Sequence, residues 1–300
     1  MKDTASVSVS VRKAHLFVVA GAFCISFAAL FVRGAAMDPS MVAFYRQVSG
    51  GIALLLFALI RRDRLMPTLP MIRVFGLAAL CLAGDLVLWH ASIVRAGPGL
   101  ATILCNFQVF FLALYSAFFL GETLSLRHKL AMLLAITGLF MLVEINPLRI
   151  PSAMGTGIAL GLASGVFYTA YILSLRKSLL LRDHLSPVAN MAMVCFITAV
   201  VIAAVCLAQG VSFAIPDVET ALCVAGLGVF CQGIGWVLLS LGLPHLTPSR
   251  AGLIMLAQPA LAFLWDILFC GRVTGMVGYL GAATAIFAIW LGVSGHVKKI

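Results

Sequence analysis

Long apolar runs separated by short polar clusters set the pattern of this chain. Ten runs fall near 14–32, 39–60, 71–93, 98–120, 127–146, 152–174, 186–208, 218–241, 248–270 and 274–296. Each has about the 20 residues a helix needs to cross a ~30 Å hydrocarbon core at 1.5 Å per residue. Barrel strands would alternate polar and apolar positions, and these runs do not. Pro39, Pro98, Pro187 and Pro248 each open a run, in the first turn of a helix, where the missing N–H was unpaired anyway. Asp38 and Ser186 precede two of them as N-caps. The run 14–32 has the place of a signal peptide, but it is long enough to span. Connections are short, so neighbouring helices are expected to be antiparallel.

The stretch Gly97 to Val143 returns without a gap from Thr247 to Val293. Pro98 falls on Pro248, Ala101 on Ala251, Gln108 on Gln258, Phe119 on Phe269 and Gly121 on Gly271. Leu130, Ala135, Ile136 and Val143 fall on Leu280, Ala285, Ile286 and Val293. The chain therefore reads as one five-helix unit used twice, over 1–146 and 147–300, with the run 14–32 needed as the first helix. The repeat is far longer than a solenoid period, and internal duplication is a hallmark of transporter folds.

Composition agrees with the pattern. Charged residues are 10% of the chain, against about a quarter in soluble domains, and the mean hydropathy is +1.13. The net charge of +10 would suggest nucleic acid in a soluble protein. Here Lys and Arg sit in short loops, so the lipid bilayer is the partner and nucleic acid is not. Alternate loops hold fifteen of them (Lys2, Arg12, Lys13, Arg61, Arg62, Arg64, Arg73, Arg127, Lys129, Arg176, Lys177, Arg182, Arg250, Lys298 and Lys299). The opposite loops hold four: Arg33, Arg95, Arg149 and Arg272. That bias puts both termini in the cytoplasm. Five helices per unit is an odd number, so the second unit enters from the other side. The fold class expected is an all-α membrane protein of ten transmembrane helices, as two inverted five-helix repeats. The eight Cys form no C-x-x-C pair and read as packing residues.

Pro98 to Glu122 and Pro248 to Gly271 carry a further pattern: a Pro-led helix, a central Gln, and Gly121-Glu122 at the membrane edge. It resembles the EamA-type branch of the drug/metabolite transporter superfamily. Pro39 to Arg46 (PSMVAFYR) also resembles that family's second helix. The second copy departs at Gly271-Arg272, where the acid is missing. The resemblance implies ten helices and transport of small organic solutes, often export of amino acids, metabolites or drugs.

Asp85 lies in the middle of the third run. A carboxylate there must face protein or a water-filled cavity. Trp89 and Ser92 share its helical face; His90 points about 140° away, by 100° per residue, and reads as a lining residue. Two readings stand for Asp85: a solute or proton-coupling site, or a structural ion pair with Arg46. By helical rise Arg46 lies roughly 10 Å and Asp85 roughly 13 Å from the outer end of neighbouring helices. Gln108 and Gln258 hold equivalent places, Gln108 beside Phe111 and Tyr115, and Gln258 beside Leu261 and Trp265. Their amides suit either a solute or an interhelical hydrogen bond. With Phe23, Phe27, Tyr168, Tyr171, Gln232 and Trp236 they would line a cavity for an amphipathic organic solute; the alternative is packing, or interfacial anchoring for Trp265. Asp266 is expected to be hydrated at the interface. Substrate binding is thus assigned to Asp85, Trp89, Gln108, Tyr115, Tyr168, Gln232, Trp236 and Gln258.

Glu122, Arg127, His128 and Lys129 read as a solvated cytoplasmic loop, or as a cluster that gates or pairs. Gly157, Gly161 and Gly165, with Gly275, Gly278 and Gly281, read as close helix packing. Helices one, three, four, six, eight and nine would line the cavity, with five and ten peripheral.

No P-loop is present, so direct drive by ATP is not expected, nor any cofactor, metal or catalytic residue. The expected function is secondary transport of a small organic solute by alternating access, in the export direction, in the bacterial inner membrane. A monomer would suffice. The competing classes are a membrane enzyme acting on lipid-linked substrates, which would need catalytic groups clustered near one interface; an uptake permease; and a channel, which would not need inverted halves.

Overall fold

The computed structural model of the 300-residue chain describes residues 10–96, 98–143, 155–181, 185–271 and 273–293. Lys2, Gly97, Arg149, Arg182, Arg272, Lys298 and Lys299 lie outside the described residues, as do the helix ends expected at 144–146, 152–154 and 294–296 and the boundary between the two units.

The described chain is all-α. Its first half holds α1 (Val11–Ser26), α2 (Ala28–Gly34), α3 (Pro39–Ile60), α4 (Leu69–Ala96), α5 (Pro98–Asn106), α6 (Gln108–Phe119) and α7 (Leu126–Val143). The second holds α8 (Gly155–Leu180), α9 (Pro187–Ala208), α10 (Val218–Gly226), a π-helical segment Leu227–Gly235, α11 (Trp236–Gly242), a short 3₁₀ turn Leu243–His245, α12 (Pro248–Met255), α13 (Ala257–Cys270) and α14 (Met276–Val293). Among the described residues eight stretches are long and apolar enough to cross a membrane, and Met276–Gly292 is a shorter apolar helix. The expected caps form: Asp38 accepts from the Ser40 N–H at 2.8 Å and Ser186 from the Ala189 N–H at 3.1 Å.

Three runs expected as continuous helices are broken, at Phe27, Phe107 and Leu256, and a fourth carries the π-helical segment. At the second copy's break the cause is in the sequence. Pro259 has no N–H for the Met255 carbonyl, and its ring would crowd that carbonyl. In the first copy Val109 stands at that place. There the Asn106 amide donates to the Thr102 carbonyl at 2.8 Å, while the Phe107 N–H turns to Leu104 in a tighter bond. At Phe27 the Ser26 hydroxyl donates to the Phe23 carbonyl at 2.6 Å. Side chains that take up backbone groups let a helix bend inside apolar surroundings.

Helices of the two copies pack on one another: α3 against α9 and α7 against α14, which correspond by sequence, and α6 against α12, which belong to the corresponding runs 98–120 and 248–270. The broad contact of α4 with α8 has its counterpart in that of α1 with the π-segment and α11. Glycines set the closest approaches, as where Gly138 of α7 meets the Gly281 carbonyl of α14.

Cross-links sort the helix ends into two faces. On one, Ser186 donates to Asp63 at 2.5 Å, Arg127 to the Leu291 carbonyl at 2.8 Å, and Arg176 to the Leu243 carbonyl at 3.2 Å. On the other, Arg33 pairs with Asp266 at 3.6 Å, the Ala36 N–H donates to Thr220, and the Tyr45 hydroxyl to the Phe213 carbonyl. The first face is the one to which the charge pattern assigned most Lys and Arg.

Candidate polar site between the two halves

Among the described residues Arg46 and Asp85 sit inside the helical body, and each is held by a neutral partner from the second half. Arg46, about two turns into α3, donates its Nε to Gln232 Oε1 at 2.8 Å. Gln232 is fully buried in the π-helical segment, and its Nε2 faces Cys195 Sγ of α9 at 3.6 Å. Asp85 is buried midway along α4 and accepts from the Ser164 hydroxyl of α8 at 2.6 Å. The Cys105 thiol of α5 approaches the same oxygen at 3.6 Å. No ion pair joins Arg46 to Asp85, although the guanidinium lies within electrostatic reach of that carboxylate and of Tyr168 and Tyr171. A buried charge needs a partner, and here hydrogen-bonding groups on opposite helices supply it.

Rings close the centre on one side. Trp236 is buried, edge-on to Tyr171 at 4.8 Å and to Tyr168 at 6.2 Å. The Tyr168 hydroxyl lies against the Gln258 side chain. Gln108 and Gln258 each follow a helix break, the first by one residue and the second by two. Several buried polar atoms here have no hydrogen-bond partner: Gln108 Oε1, Gln258 Nε2, Trp236 Nε1 and both amide atoms of Gln47. Such atoms inside a packed apolar body mark a place for water or a ligand. Broken helices near mid-membrane surround solute sites in transporter folds, and π-segments gather at functional sites.

The remaining expected residues fall elsewhere. Trp89 is half-buried and turns its ring to His90 at 5.2 Å. Tyr115 stacks on Phe119 at 5.1 Å. It lines a cavity of about 330 Å³ with Leu173, Ser174, Arg176, Lys177, Leu180 and Leu181, at the end of α8 rather than beside Asp85. Phe23 and Phe27 gather on Trp265, which stacks on Phe27 at 4.6 Å and donates to Ser26 at 2.8 Å. Trp265 thus packs at the α1–α2 break. Gly157 and Gly161 give close packing, against Ala96 and Leu104.

Glu122 corrects the solvated-loop reading. Gly121 ends α6 at φ +64°, a left-handed turn that glycine takes without strain, and the Glu122 N–H returns to the Ser116 carbonyl at 3.0 Å. That turn carries the carboxylate onto the start of α12. There it accepts from Ser249 Oγ at 2.7 and 2.8 Å and from Thr247 Oγ1 at 3.0 Å, while Ser116 Oγ accepts from the Ser249 N–H. His128 is buried beside it. An acid at a helix start also meets a favourable dipole.

Sequence reasoning missed Ser164, Cys105, Cys195 and Gln47. Ser164 stood inside a stripe of small residues, and the spacing on α4 or α3 alone does not show which helix faces it.

No curated protein matches the chain. Among solved structures 29 chains match. One, described as "Crystal structure of protein", aligns with a TM-score of 0.80 over 94% of this chain and 98% of its own, at 20% identity. At that identity the likeness speaks for the fold. The profile of the EamA-like transporter family matches residues 12–144 and again residues 155–294. With two such units in tandem and at least eight membrane-crossing stretches, this multi-pass membrane protein belongs to the EamA-like transporter family.

Proposed function

We propose that the protein is a secondary transporter that moves a small organic solute outward by alternating access between two inverted five-helix repeats, 1–146 and 147–300. The observation that carries this reading is the polar centre: Arg46 on Gln232 and Asp85 on Ser164, each bond joining the two halves beside broken helices. A guanidinium and a carboxylate that are not spent on each other suit a solute carrying both an anionic and a cationic group, such as an amino acid. Gln108, Gln258, Tyr168, Trp236 and Gln232 would orient it, with Trp89 and Tyr115 along the path. Metabolites and drugs of similar size are the other candidates.

The inverted arrangement has its own support. Glu122, directly after α6, meets the start of α12, so α6 ends where α12 begins. The two belong to corresponding runs of the repeat, 98–120 and 248–270, and they run in opposite directions. The α7–α14 pair repeats the relation, because Arg127 at the start of α7 reaches Leu291 at the end of α14. On this reading Leu126–Val143 and Met276–Val293 complete a ten-helix bundle. The Lys- and Arg-rich face, with both termini, lies in the cytoplasm of a bacterium whose inner membrane holds the protein.

Reporter fusions after Arg95 and after Lys129 test the topology and should read opposite faces. Purified protein in proteoliposomes, loaded with a panel of amino acids and metabolites, tests the function. Counterflow of at least one solute, abolished by Asp85→Asn or Arg46→Gln in folded protein, is the expected result. Absence of counterflow for every solute, or flux through an always-open path, would overturn the reading.

A further inference from the structure

The cavity at the end of α8 has a chemistry unlike that of the polar centre. Arg176 and Lys177 lie in its wall with Ser174 and Tyr115, and the rest is Leu173, Leu180 and Leu181. Arg176 is anchored through Nε to the Leu243 carbonyl, which leaves its terminal nitrogens for a ligand. Lys177 and the Tyr115 hydroxyl make no hydrogen bond among the described residues. The wall therefore sets two cations and two hydroxyls against three leucines. It also continues onto the outer surface of the helical body. Leu180 is 51% exposed, and Phe119, stacked on Tyr115, is 75% exposed. Tyr115 lies seven residues beyond Gln108, about 10 Å along α6, so the cavity sits toward one membrane edge.

We propose that this cavity binds the headgroup of an anionic phospholipid, its phosphate between Arg176 and Lys177 and its acyl chains along Leu180 and Phe119. Three observations favour a lipid over a free anion. The apolar wall matches an amphipathic ligand, and the exposed leucine and phenylalanine lead out toward the hydrocarbon. The cations also end a helix on the face where Lys and Arg concentrate, which is where basic pockets between membrane helices meet anionic headgroups. Cations at a helix C-terminus are favourable without any ligand, but that accounts neither for a cavity of about 330 Å³ beside them nor for the tyrosine turned into it.

The test uses the full chain purified in a neutral detergent and titrated with a short-chain phosphatidylglycerol, the matching phosphatidylcholine, and inorganic phosphate. Binding is read as a saturable rise in thermal midpoint and by native mass spectrometry. Phosphatidylglycerol should bind, and Lys177→Gln, at an exposed position, should weaken it about fivefold while Lys177→Arg restores it. Tyr115→Phe serves as a second, isosteric variant and should weaken it less. Equal binding of phosphatidylcholine, unchanged affinity in Lys177→Gln, or displacement of the lipid by inorganic phosphate at like concentration would overturn the proposal. The last outcome would make the cavity a site for a soluble anion. None of these outcomes bears on the observation that carries the transport reading, the Arg46–Gln232 and Asp85–Ser164 bonds, which involve neither Arg176 nor Lys177.

Discussion

Gly50 is the position at which packing and the polar centre meet. It lies one turn past Arg46 on α3, against the π-helical segment. A Cβ built there would stand 2.7 Å from the Gly228 carbonyl oxygen and 3.1 Å from Gln232 Cβ and Cγ. The nearest atom is backbone, so no side-chain rotation relieves the contact. Ordinary van der Waals contact begins near 3.4 Å, so Gly50→Ala must part the two segments by about 0.7 Å. The Arg46–Gln232 bond, now 2.8 Å, would then stretch to about 3.5 Å, the limit of a hydrogen bond. Overpacking costs about 1–3 kcal/mol, and loss of a hydrogen bond to a charged group about 1.5–3 kcal/mol. With partial relaxation the expected loss is about 3 kcal/mol. Thermal unfolding of purified protein, followed by circular dichroism, reads this, with solute counterflow measured beside it. Gly76→Ala is the control. Nothing lies within 4 Å of a Cβ there, and alanine in a helix interior gains about 0.5–1 kcal/mol over glycine. A Gly50→Ala protein as stable as wild type, or a Gly76→Ala protein equally weakened, would refute the reasoning.

Three further outcomes follow from the same geometry. Glu122→Ala should lose about 1.5–3 kcal/mol, because Ser249 and Thr247 donate to a charged acceptor, and Glu122→Gln should lose about half as much; equal loss in both by thermal unfolding would mean that the charge contributes nothing. In a double-mutant cycle, Ser164→Ala and Asp85→Asn should couple by about 1.5–3 kcal/mol, and by more than Arg46→Gln and Asp85→Asn do, since only the first pair is hydrogen-bonded. Asp217 accepts from the Thr220 N–H at 2.7 Å at the start of α10, and that bond holds its carboxyl below the usual carboxylate range. A lowered folded value means the cap is complete at neutral pH and is lost as pH falls through that value. The thermal-midpoint difference between wild type and Asp217→Asn should therefore be constant near pH 7 and shrink in acid.

Much of the fold was legible because its causes are local. Proline at a first turn, Asp38 and Ser186 as caps, and about 20 apolar residues per run depend on neighbours in the chain. So does the repeat: α7 and α14, Leu126–Val143 and Met276–Val293, fall 150 residues apart at both ends. The breaks were not legible in the same way. Pro259 marks the one at Leu256, but the first copy has Val109 at that place and no proline to announce its break. There the chain bends because a neighbouring side chain, Asn106, takes up a carbonyl.

The partners of the buried charges were hidden for a different reason. Helical rise gives the depth of Arg46 and Asp85, and the two depths are similar, but it does not give the direction in which each side chain leaves its helix. Adjacency in the chain points to a pair between neighbouring helices. The packing instead sets α3 against α9 and the π-segment, and α4 against α8. Arg46 therefore finds Gln232, Asp85 finds Ser164, and Glu122 finds Ser249, each across the boundary between the halves. Such bonds differ in kind from those inside one half, because a rigid rocking of one half against the other lengthens them together while leaving each half's own hydrogen bonds intact. Two lie in the body of the bundle and one at the Lys- and Arg-rich face. The Glu122 contacts fasten that face, whereas the Arg33–Asp266 pair and the bond from Trp265 to Ser26 fasten the opposite one. The two ends are thus fastened by separate and chemically different contacts, as the proposed alternating access requires.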